Sequence, residues 1–275
     1  MHIHVNGVPY RVEAEGQGPA LLLLHGFTGS RATWEPYLTN WTRHFQVVRV
    51  DLIGHGDSAA PPDPSRYTMD RAAADLAGIL DRLQISRAHV LGYSMGGRLA
   101  LSFAAWYPDR VETLLLESSS PGLKTDTERR ARRERDEELA DRIEREGLEA
   151  FVRYWEGIPL FASQRNLPEK VRQALRKERL AQRTRGLANS LRGMGTGAQP
   201  SWWEHLGRIP CPVLLITGEL DQKFCRIAEE MKGQFSRCRW RTVPGVGHAV
   251  HVEAPRLFDT IVMEFLLHQG KFPNS

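Results

Sequence analysis

A serine flanked by two glycines is the first sign of chemistry in the chain. Ser94 lies in Gly92-Tyr93-Ser94-Met95-Gly96, between the apolar stretch AHVLGY and a segment with helical periodicity. A tight strand-to-helix turn of this G-x-S-x-G form needs glycines because side chains there would collide, and it exposes the serine at the start of the helix. The stretch therefore predicts a reactive serine at position 94.

A serine hydroxyl is weakly reactive until a histidine takes its proton, and that histidine needs an orienting carboxylate. Asp221 follows the apolar stretch CPVLLITG, and His248 follows the next one, CRWRTVPG. Ser, then Asp, then His is the chain order expected after an elbow of this kind. We predict a triad of Ser94, Asp221 and His248, with Glu219 as the alternative acid and His251 as the alternative base.

Backbone N–H groups near the serine would stabilise negative charge on a substrate oxygen. Met95 follows the serine at the start of the predicted helix, where N–H groups can bind an anion. Phe27, in the stretch HGFTGS after a buried strand, is the second candidate donor. We predict an oxyanion hole from Phe27 and Met95, and HGF is equally typical of a plain strand-to-helix turn. The glycine-rich stretch DLIGHGDS and the remaining histidines are expected to be structural.

Arg98 follows Ser94 by four residues, so a helix beginning at Met95 places both on the same side. A pocket for a neutral acyl chain gains nothing from a buried unpaired guanidinium, whose desolvation is costly. A guanidinium binds a carboxylate through two parallel hydrogen bonds. The sequence therefore predicts an anionic substrate, with a salt bridge to a scaffold carboxylate as the alternative role of Arg98.

The predicted elements would carry these residues to one edge of a sheet. The chain begins with a hairpin pattern, HIHV and VPYRVE around Asn6-Gly7, a pair that favours a type I′ turn. The predicted strands that follow are ALLLLHG, FQVVRVD, AHVLGYS, VETLLLESS, CPVLLITG and CRWRTVPG, and the predicted helices are Thr33–Arg43, Met69–Leu83, Met95–Tyr107, Ile227–Phe235 and Arg256–His268. This alternation predicts an α/β fold with a mostly parallel, doubly wound sheet that binds ligands at the carboxyl ends of its strands.

The alternation is interrupted from about residue 124 to residue 200, where charged helical segments replace the strands. An insertion of this kind is typical of a lid over the strand ends. We predict that residues 1–122 form the first part of the core, 123–205 a helical lid and 206–275 the second part of the core. Residues 124–192 hold 18 basic and 13 acidic residues, against 19 and 20 elsewhere, so the net charge of +4 originates in the lid.

Composition excludes several classes of protein. Acidic residues are interleaved with the basic ones, which argues against a duplex-binding stripe. No apolar run approaches the roughly 18–20 residues that span a bilayer, and the sequence does not open with a signal-peptide pattern. The three cysteines, Cys211, Cys225 and Cys238, form no metal or redox motif. We expect a cytoplasmic protein with no nucleic-acid partner, membrane insertion or metal; the sequence does not determine its oligomeric state.

From about Leu21 onward, the elbow, the strand-end residues and the inserted helices resemble the α/β-hydrolase family with a helical cap. The dehalogenase and epoxide-hydrolase branches have an aspartate where this chain has Ser94. Five stretches resemble one branch more closely: GYSMGGR, SSSPGLKTDTERRARRERDEELADRIE, YWEGIPLFASQ, RLAQRTRGLANSLRGMGTGAQPSWW and LITGELDQKF. They are similar to the 2-succinyl-6-hydroxy-2,4-cyclohexadiene-1-carboxylate synthases of menaquinone biosynthesis.

This resemblance implies a lyase that eliminates pyruvate from 2-succinyl-5-enolpyruvyl-6-hydroxy-3-cyclohexene-1-carboxylate, with no cofactor. The triad would then promote proton removal beside the succinyl carbonyl, and the oxyanion hole would bind an enolate. The three carboxylates of this substrate imply an arginine-rich pocket. The residues implied to bind it are Arg98, Arg132 (with Arg129 and Arg133 as alternatives), Arg179, Tyr93 and Trp155.

Two other functions remain open from the sequence. A hydrolase of an anionic ester or of a C–C bond would use Ser94 as a nucleophile. A small-molecule receptor on the same fold would bind its ligand without changing it, but the intact set of Ser94, Asp221 and His248 favours an enzyme.

Overall fold

One eight-stranded sheet organises the molecule, of which the computed structural model describes residues 1–268. The predicted second core segment therefore ends, at 269–275, outside the described residues. The strands are β1 His2–Val5, β2 Val8–Glu15, β3 Ala20–Leu24, β4 Gln46–Val50, β5 Ala88–Tyr93, β6 Val111–Glu117, β7 Val213–Gly218 and β8 Cys238–Val243. Their order across the sheet is β1-β2-β4-β3-β5-β6-β7-β8.

The sheet is antiparallel at one edge and parallel elsewhere. β1 and β2 form the predicted hairpin, and β2 pairs antiparallel with β4. Asn6 and Gly7 both have positive φ, of 47° and 80°, as a type I′ turn requires. All pairs from β4 through β8 are parallel, so the carboxyl ends of these strands lie at one edge.

Helices cover both faces of the sheet. They are α1 Leu38–Trp41, α2 Met69–Arg82, α3 Met95–Trp106, α4 Asp126–Gly157, α5 Glu169–Leu180, α6 Thr184–Met194, α7 Gln222–Lys232, α8 Val250–Glu253 and α9 Pro255–Leu267. Short 3₁₀ segments cover Arg31–Tyr37, Pro64–Tyr67, Pro108–Arg110, Pro159–Asn166 and Trp203–Arg208. Within residues 1–268, no helix is both long and apolar enough to cross a membrane.

The strands explain why the core has two layers. Alternate residues of β3 point to opposite faces: Leu22 and Leu24 belong to the cluster that packs on α2 and α3, whereas Leu21 and Leu23 belong to the one that packs on α9. All five residues of β3 are buried. A strand buried on both faces needs the continuous apolar run that the sequence shows.

Two predicted helices differ from the observed ones. The helix expected over Thr33–Arg43 is a 3₁₀ segment followed by the single turn of α1, because Pro36 has no N–H to donate and interrupts the helical ladder. The helix expected from Ile227 begins five residues earlier, at Gln222, because Asp221 caps it by accepting a hydrogen bond from the Phe224 amide.

Between β6 and β7, residues 123–205 contain helices and no strand, and the structure describes all of them. We call this segment the lid, which is an interpretation of its place in the fold. Its own small core lies between α4 and α6 and includes Ala140, Ile143 and Leu187. α4 is interrupted at Gly147, whose φ of 81° and ψ of 173° are not helical.

Candidate active site

The turn at Ser94 is tight and strained. Ser94 follows β5 with φ 51° and ψ −107°, a conformation that non-glycine residues seldom adopt. A Cβ on Gly92 would lie 2.3 Å from the Gly96 carbonyl oxygen, and one on Gly96 would lie 2.3 Å from the Leu24 carbonyl oxygen. Only glycine fits at either position, and the serine side chain projects at the carboxyl edge of the sheet.

Ser94, His248 and Asp221 are joined by hydrogen bonds. His248 Nε2 lies 3.0 Å from Ser94 Oγ, and His248 Nδ1 lies 2.6 Å from Asp221 Oδ2. Both His248 and Asp221 are buried. The alternative acid, Glu219, instead accepts a hydrogen bond from the Gly245 amide. The geometry thus allows His248 to take the serine proton while Asp221 orients its ring.

The alternative base, His251, has a different partner. Its Nδ1 lies 2.9 Å from both carboxylate oxygens of Glu117, which is fully buried at the end of β6. The Glu117 backbone carbonyl also accepts a hydrogen bond from the Ser94 amide, at 2.8 Å. Glu117 therefore connects the serine turn to the loop that carries His248, and His251 is held away from Ser94 Oγ.

The backbone amides of the two candidate oxyanion-hole residues have no hydrogen-bond partner in the described part of the chain. These residues, Phe27 and Met95, line the same cavity as Ser94. The loop carrying Phe27 is fixed by His25, whose Nδ1 donates to the Gly26 carbonyl and whose Nε2 accepts from the Leu52 amide. Burial lowers the pKa of His25 to about 4, so the ring is neutral and can accept.

The cavity above Ser94 is cationic. It has a volume of about 190 Å³, and Arg98, Arg132 and Lys223 are among its lining residues. Among residues 1–268, no aspartate or glutamate lines it. Three fixed or potential positive charges without a facing carboxylate favour an anionic ligand.

Arg98 lies at the base of this cavity without a carboxylate partner in the described chain. Its Nη1 donates to the Met194 carbonyl at 2.8 Å and to Gln199 Oε1 at 2.5 Å. Burial, and then the charge of Arg132, lower the pKa of Arg98 to about 10. The scaffold salt bridge considered from the sequence is absent among the described residues, so the guanidinium keeps its charge available for a ligand.

The three candidate arginines of α4 have different positions and different partners. Arg132 lines the cavity, and its Nε donates to Asp136 Oδ1 at 2.8 Å. Arg129 pairs with Asp126 on the outside of the helix, and Arg133 donates to the Gly197 carbonyl at 3.0 Å. Of these, the structure places only Arg132 at the cavity.

Arg179 lies outside the cavity that contains Ser94. It is buried behind Phe161, with its guanidinium carbon 5.3 Å from the ring centre. Its nitrogens donate to Gln164 Oε1 at 3.0 Å and to Glu156 Oε1 at 3.3 Å. It lines a second cavity of about 670 Å³, which shares Phe27, Tyr93 and Phe161 as walls with the first.

Tyr93 and Trp155 are both walls of the Ser94 cavity. Tyr93 contacts the rings of His248 and His251, at centroid distances of 5.4 and 4.5 Å. Burial, and then Glu117, raise the pKa of the Tyr93 hydroxyl well above its usual value. Trp155 packs on Phe27, and its Nε1 is buried with no hydrogen-bond partner among the described residues, which leaves one donor for a ligand.

Lys223 is a cavity-lining cation that sequence reasoning missed. It lies in the first turn of α7, two residues after Asp221. A lysine in the first turn of a helix is unusual, because the positive end of the helix dipole disfavours cations there. A lysine at the start of a helix, in the stretch LDQKF, was therefore the feature by which the sequence could have indicated this residue.

The sequence profile of the α/β hydrolase fold family matches residues 19–255. A protein of Bacillus subtilis (strain 168) named as a putative 2-succinyl-6-hydroxy-2,4-cyclohexadiene-1-carboxylate synthase is 51% identical over 263 residues, which cover 95% of this chain and 96% of that protein. A 2-succinyl-6-hydroxy-2,4-cyclohexadiene-1-carboxylate synthase from Enterobacter sp. (strain 638) is 33% identical over 237 residues, covering 86% and 87%. The solved structure of MenH from S. aureus is 34% identical with a TM-score of 0.91, covering 95% of this chain and 99% of that one.

Proposed function

The chain belongs to the α/β-hydrolase family and, within it, to the 2-succinyl-6-hydroxy-2,4-cyclohexadiene-1-carboxylate synthases, and we propose on this basis how it eliminates pyruvate from 2-succinyl-5-enolpyruvyl-6-hydroxy-3-cyclohexene-1-carboxylate. The fold class and the family resemblance drawn from the sequence are thereby confirmed. The roles of individual residues in this reaction are our proposal.

The first step is the removal of a proton from the ring carbon beside the succinyl carbonyl. Ser94 Oγ takes this proton while its own passes to His248 Nε2, 3.0 Å away. The electron pair of the broken C–H bond moves onto the carbonyl oxygen. The N–H groups of Phe27 and Met95 stabilise that oxyanion, as they would stabilise a tetrahedral intermediate in an acyl transfer.

The second step expels the leaving group. Electrons return from the enolate, the ring double bond shifts, and the C–O bond to the enolpyruvyl group breaks. The departing enolpyruvate takes up the proton held by His248 and becomes pyruvate, and the ring now holds two conjugated double bonds. No bond forms between Ser94 and the substrate, so the serine acts as a positioned base.

Substrate binding uses the cations of the cavity. Arg98 and Arg132 each bind a carboxylate, and Trp155 donates its unpaired indole N–H to an oxygen of the substrate. Arg179 would reach the substrate only after movement of Phe161, which lies between it and the Ser94 cavity. A cytoplasmic location is part of the proposal, because all three cysteines are free thiols and reducing compartments maintain that state.

One observation supports this reaction most directly: a hydrogen-bonded Ser-His-Asp set opens into a cavity whose described walls carry Arg98, Arg132 and Lys223 and no carboxylate. Arg132 is paired with Asp136, but a cavity for a neutral ester would leave Arg98 and Lys223 without a carboxylate, and their desolvation would be costly. A substrate with three carboxylates supplies the missing negative charge.

Release of pyruvate from the enolpyruvyl cyclohexene substrate tests the proposal. The wild-type protein should release one pyruvate per diene formed, and Ser94→Ala should reduce kcat by at least about 10²-fold, the lower range for loss of a general base. Arg129→Ala, which alters an arginine outside the cavity, serves as the control. Near-full activity of Ser94→Ala would contradict the role of the serine.

A further inference from the structure

Lys223 lies where helix electrostatics disfavour a positive charge. α7 begins at Gln222, and Asp221 caps it, so Lys223 lies in the first turn beside the free N–H groups. Negative side chains stabilise this end of a helix and positive ones destabilise it. The first turn of α7 carries no acidic residue. Stability of the helix therefore gives no reason for a lysine at this position.

The ammonium group also lacks an ionic partner. No carboxylate of residues 1–268 lies within 4.0 Å of Nζ, and its close ring contact is with its neighbour Phe224, whose ring centre is 5.4 Å away. Burial, then the positive charge of Arg132, lower the pKa of Lys223; Asp221 opposes the shift and Arg135 adds to it. Lys223 thus lies near Arg132 and Arg135, and Asp221 opposes their effect without forming an ion pair with it.

Several other cations of the lid and of the cavity have ionic or hydrogen-bond partners. Arg192 contacts three carboxylates, and Arg176 and Arg179 both contact Glu156. Arg132 has Asp136, and Arg98 has two neutral oxygens. Within the described part of the chain, Lys223 is the cavity-lining cation that has neither a carboxylate nor a neutral oxygen as a partner. An unpaired charge next to a second cation is stabilised most by a bound anion.

We propose that Lys223, together with Arg132, forms a carboxylate-binding subsite on the lid side of the Ser94 cavity. This rests on the proposed function, whose substrate carries three carboxylates, and it adds Lys223 to Arg132 as a second cation for the carboxylate that Arg132 binds. Lysine suits the position because its ammonium group has three donors on a flexible stem and can adjust to the position of a carboxylate.

Steady-state kinetics of pyruvate release for Lys223→Met and Lys223→Arg test the subsite. Loss of a charge-assisted hydrogen bond of about 1.5–3 kcal/mol corresponds to about a 10- to 150-fold fall in kcat/KM. We expect this fall for Lys223→Met, chiefly through KM, and substantial recovery for Lys223→Arg. Lys232→Met removes a lysine from the other end of the same helix and should leave both constants unchanged.

Two further readouts separate binding from a structural role. Removing an uncompensated charge from the helix N-terminus should leave the Tm of Lys223→Met equal to or above that of wild type, whereas a structural lysine would lower it. Because the pKa of Lys223 is lowered, the KM of wild type should rise at alkaline pH as the ammonium deprotonates. Lys223→Met should lose that rise, and Lys223→Arg should shift it to higher pH.

Calorimetric titration with propane-1,2,3-tricarboxylate keeps this proposal separate from the reaction. Wild type and Lys232→Met should bind it, and Lys223→Met should bind at least about 10-fold more weakly. That result would support the subsite even if wild type released no pyruvate, in which case the proposed reaction alone would fail. Equal affinity of wild type and Lys223→Met, or unchanged kcat/KM in an active enzyme, would overturn the subsite.

Discussion

Ser94, the proposed base, lies in a backbone conformation that its neighbours impose. Gly92 and Gly96 allow the approach of backbone atoms that gives Ser94 its φ of 51°, and the strain is stored where the reaction occurs. A base that abstracts a proton from carbon must be held close to one C–H bond. Fixing the turn therefore serves an elimination as well as it serves an acyl transfer.

At the same scale, Asp221→Asn tests whether the acid holds His248 in the reactive tautomer. The amide can donate to Nδ1 and would place the ring proton on Nε2, facing Ser94 Oγ, so the serine would lose its proton acceptor. We expect kcat for pyruvate release to fall by about 10²- to 10⁴-fold. The matched control is Glu219→Gln, which changes the neighbouring carboxylate that accepts from the Gly245 amide. Comparable losses in both variants would refute the assignment.

The sequence predicted the residues whose positions follow from strand ends. Ser94, Asp221 and His248 each come shortly after a recognisable strand, so sheet topology alone brings them together. Lys223 was missed because a lysine in a polar helix looks like a surface residue, and its cavity exists only once the lid is in place. Arg179 matched the resemblance but is separated from the cavity by Phe161, a tertiary contact that no local pattern encodes.

At the scale of elements, the break in α4 depends on Gly147. Its φ of 81° and ψ of 173° belong to a region open almost only to glycine. Gly147→Ala meets no atom within 4 Å of the new Cβ, so any effect must come from the backbone. We expect the free energy of unfolding by urea to fall by about 1–3 kcal/mol.

Gly157 is the matched control for that substitution. It is the last residue of α4, and a Cβ added there would also meet no atom within 4 Å, but its φ is not positive. Gly157→Ala should leave stability unchanged or raise it by up to about 1 kcal/mol. Equal effects at Gly147 and Gly157 would show that the bend in α4 does not depend on the glycine.

Glu178 joins the lid to the core and should make that junction depend on pH. From α5, its carboxylate accepts hydrogen bonds from Ser30 Oγ at 2.6 Å and Thr33 Oγ1 at 3.3 Å. Burial raises its pKa above the usual 4.5, despite these bonds. The folded protein then holds the proton more tightly than the unfolded chain, so this residue's contribution to stability falls as pH rises from the unfolded pKa through the folded one.

Glu178→Gln removes this titration while keeping a side-chain oxygen as acceptor. Its Tm should be similar to that of wild type near about pH 4 and should exceed it increasingly toward about pH 8. Glu169→Gln, at an exposed site on the same helix, should show no such trend. A difference between Glu178→Gln and wild type that is constant with pH would rule out the ionisation of Glu178 as its cause.

Element boundaries illustrate what the sequence could not determine. The alternation of strands and helices predicted the sheet, and the loss of strand pattern predicted the helical segment between β6 and β7. Pro36 gave a local reason for the replacement of one predicted helix by 3₁₀ turns. The early start of α7 could have been predicted from Asp221, whose side chain caps the helix. The sequence analysis treated that residue only as the candidate acid of the triad.

At the scale of the whole molecule, the excess of positive charge lies in the helical segment 123–205, part of which lines the Ser94 cavity. The lid holds the entire excess of basic residues, and a field of this kind attracts a polyanionic substrate. Exposed charges are screened beyond about 10 Å at 0.1 M salt. We expect kcat/KM for pyruvate release to fall several-fold between about 0.02 and about 0.3 M NaCl, with little change in kcat. The same fall in KCl would identify ionic strength as the cause, and a flat profile in both salts would contradict steering.

The central claim is that Ser94 removes a proton and forms no acyl bond, so no water enters the reaction. Turnover of the enolpyruvyl cyclohexene substrate in ¹⁸O-labelled water, followed by mass spectrometry of the products, tests it most directly. We predict pyruvate and the cyclohexadiene, with every carboxylate free of ¹⁸O. Release of succinate carrying one ¹⁸O in a carboxylate would show hydrolysis of a C–C bond through an acyl-enzyme, and would contradict the account.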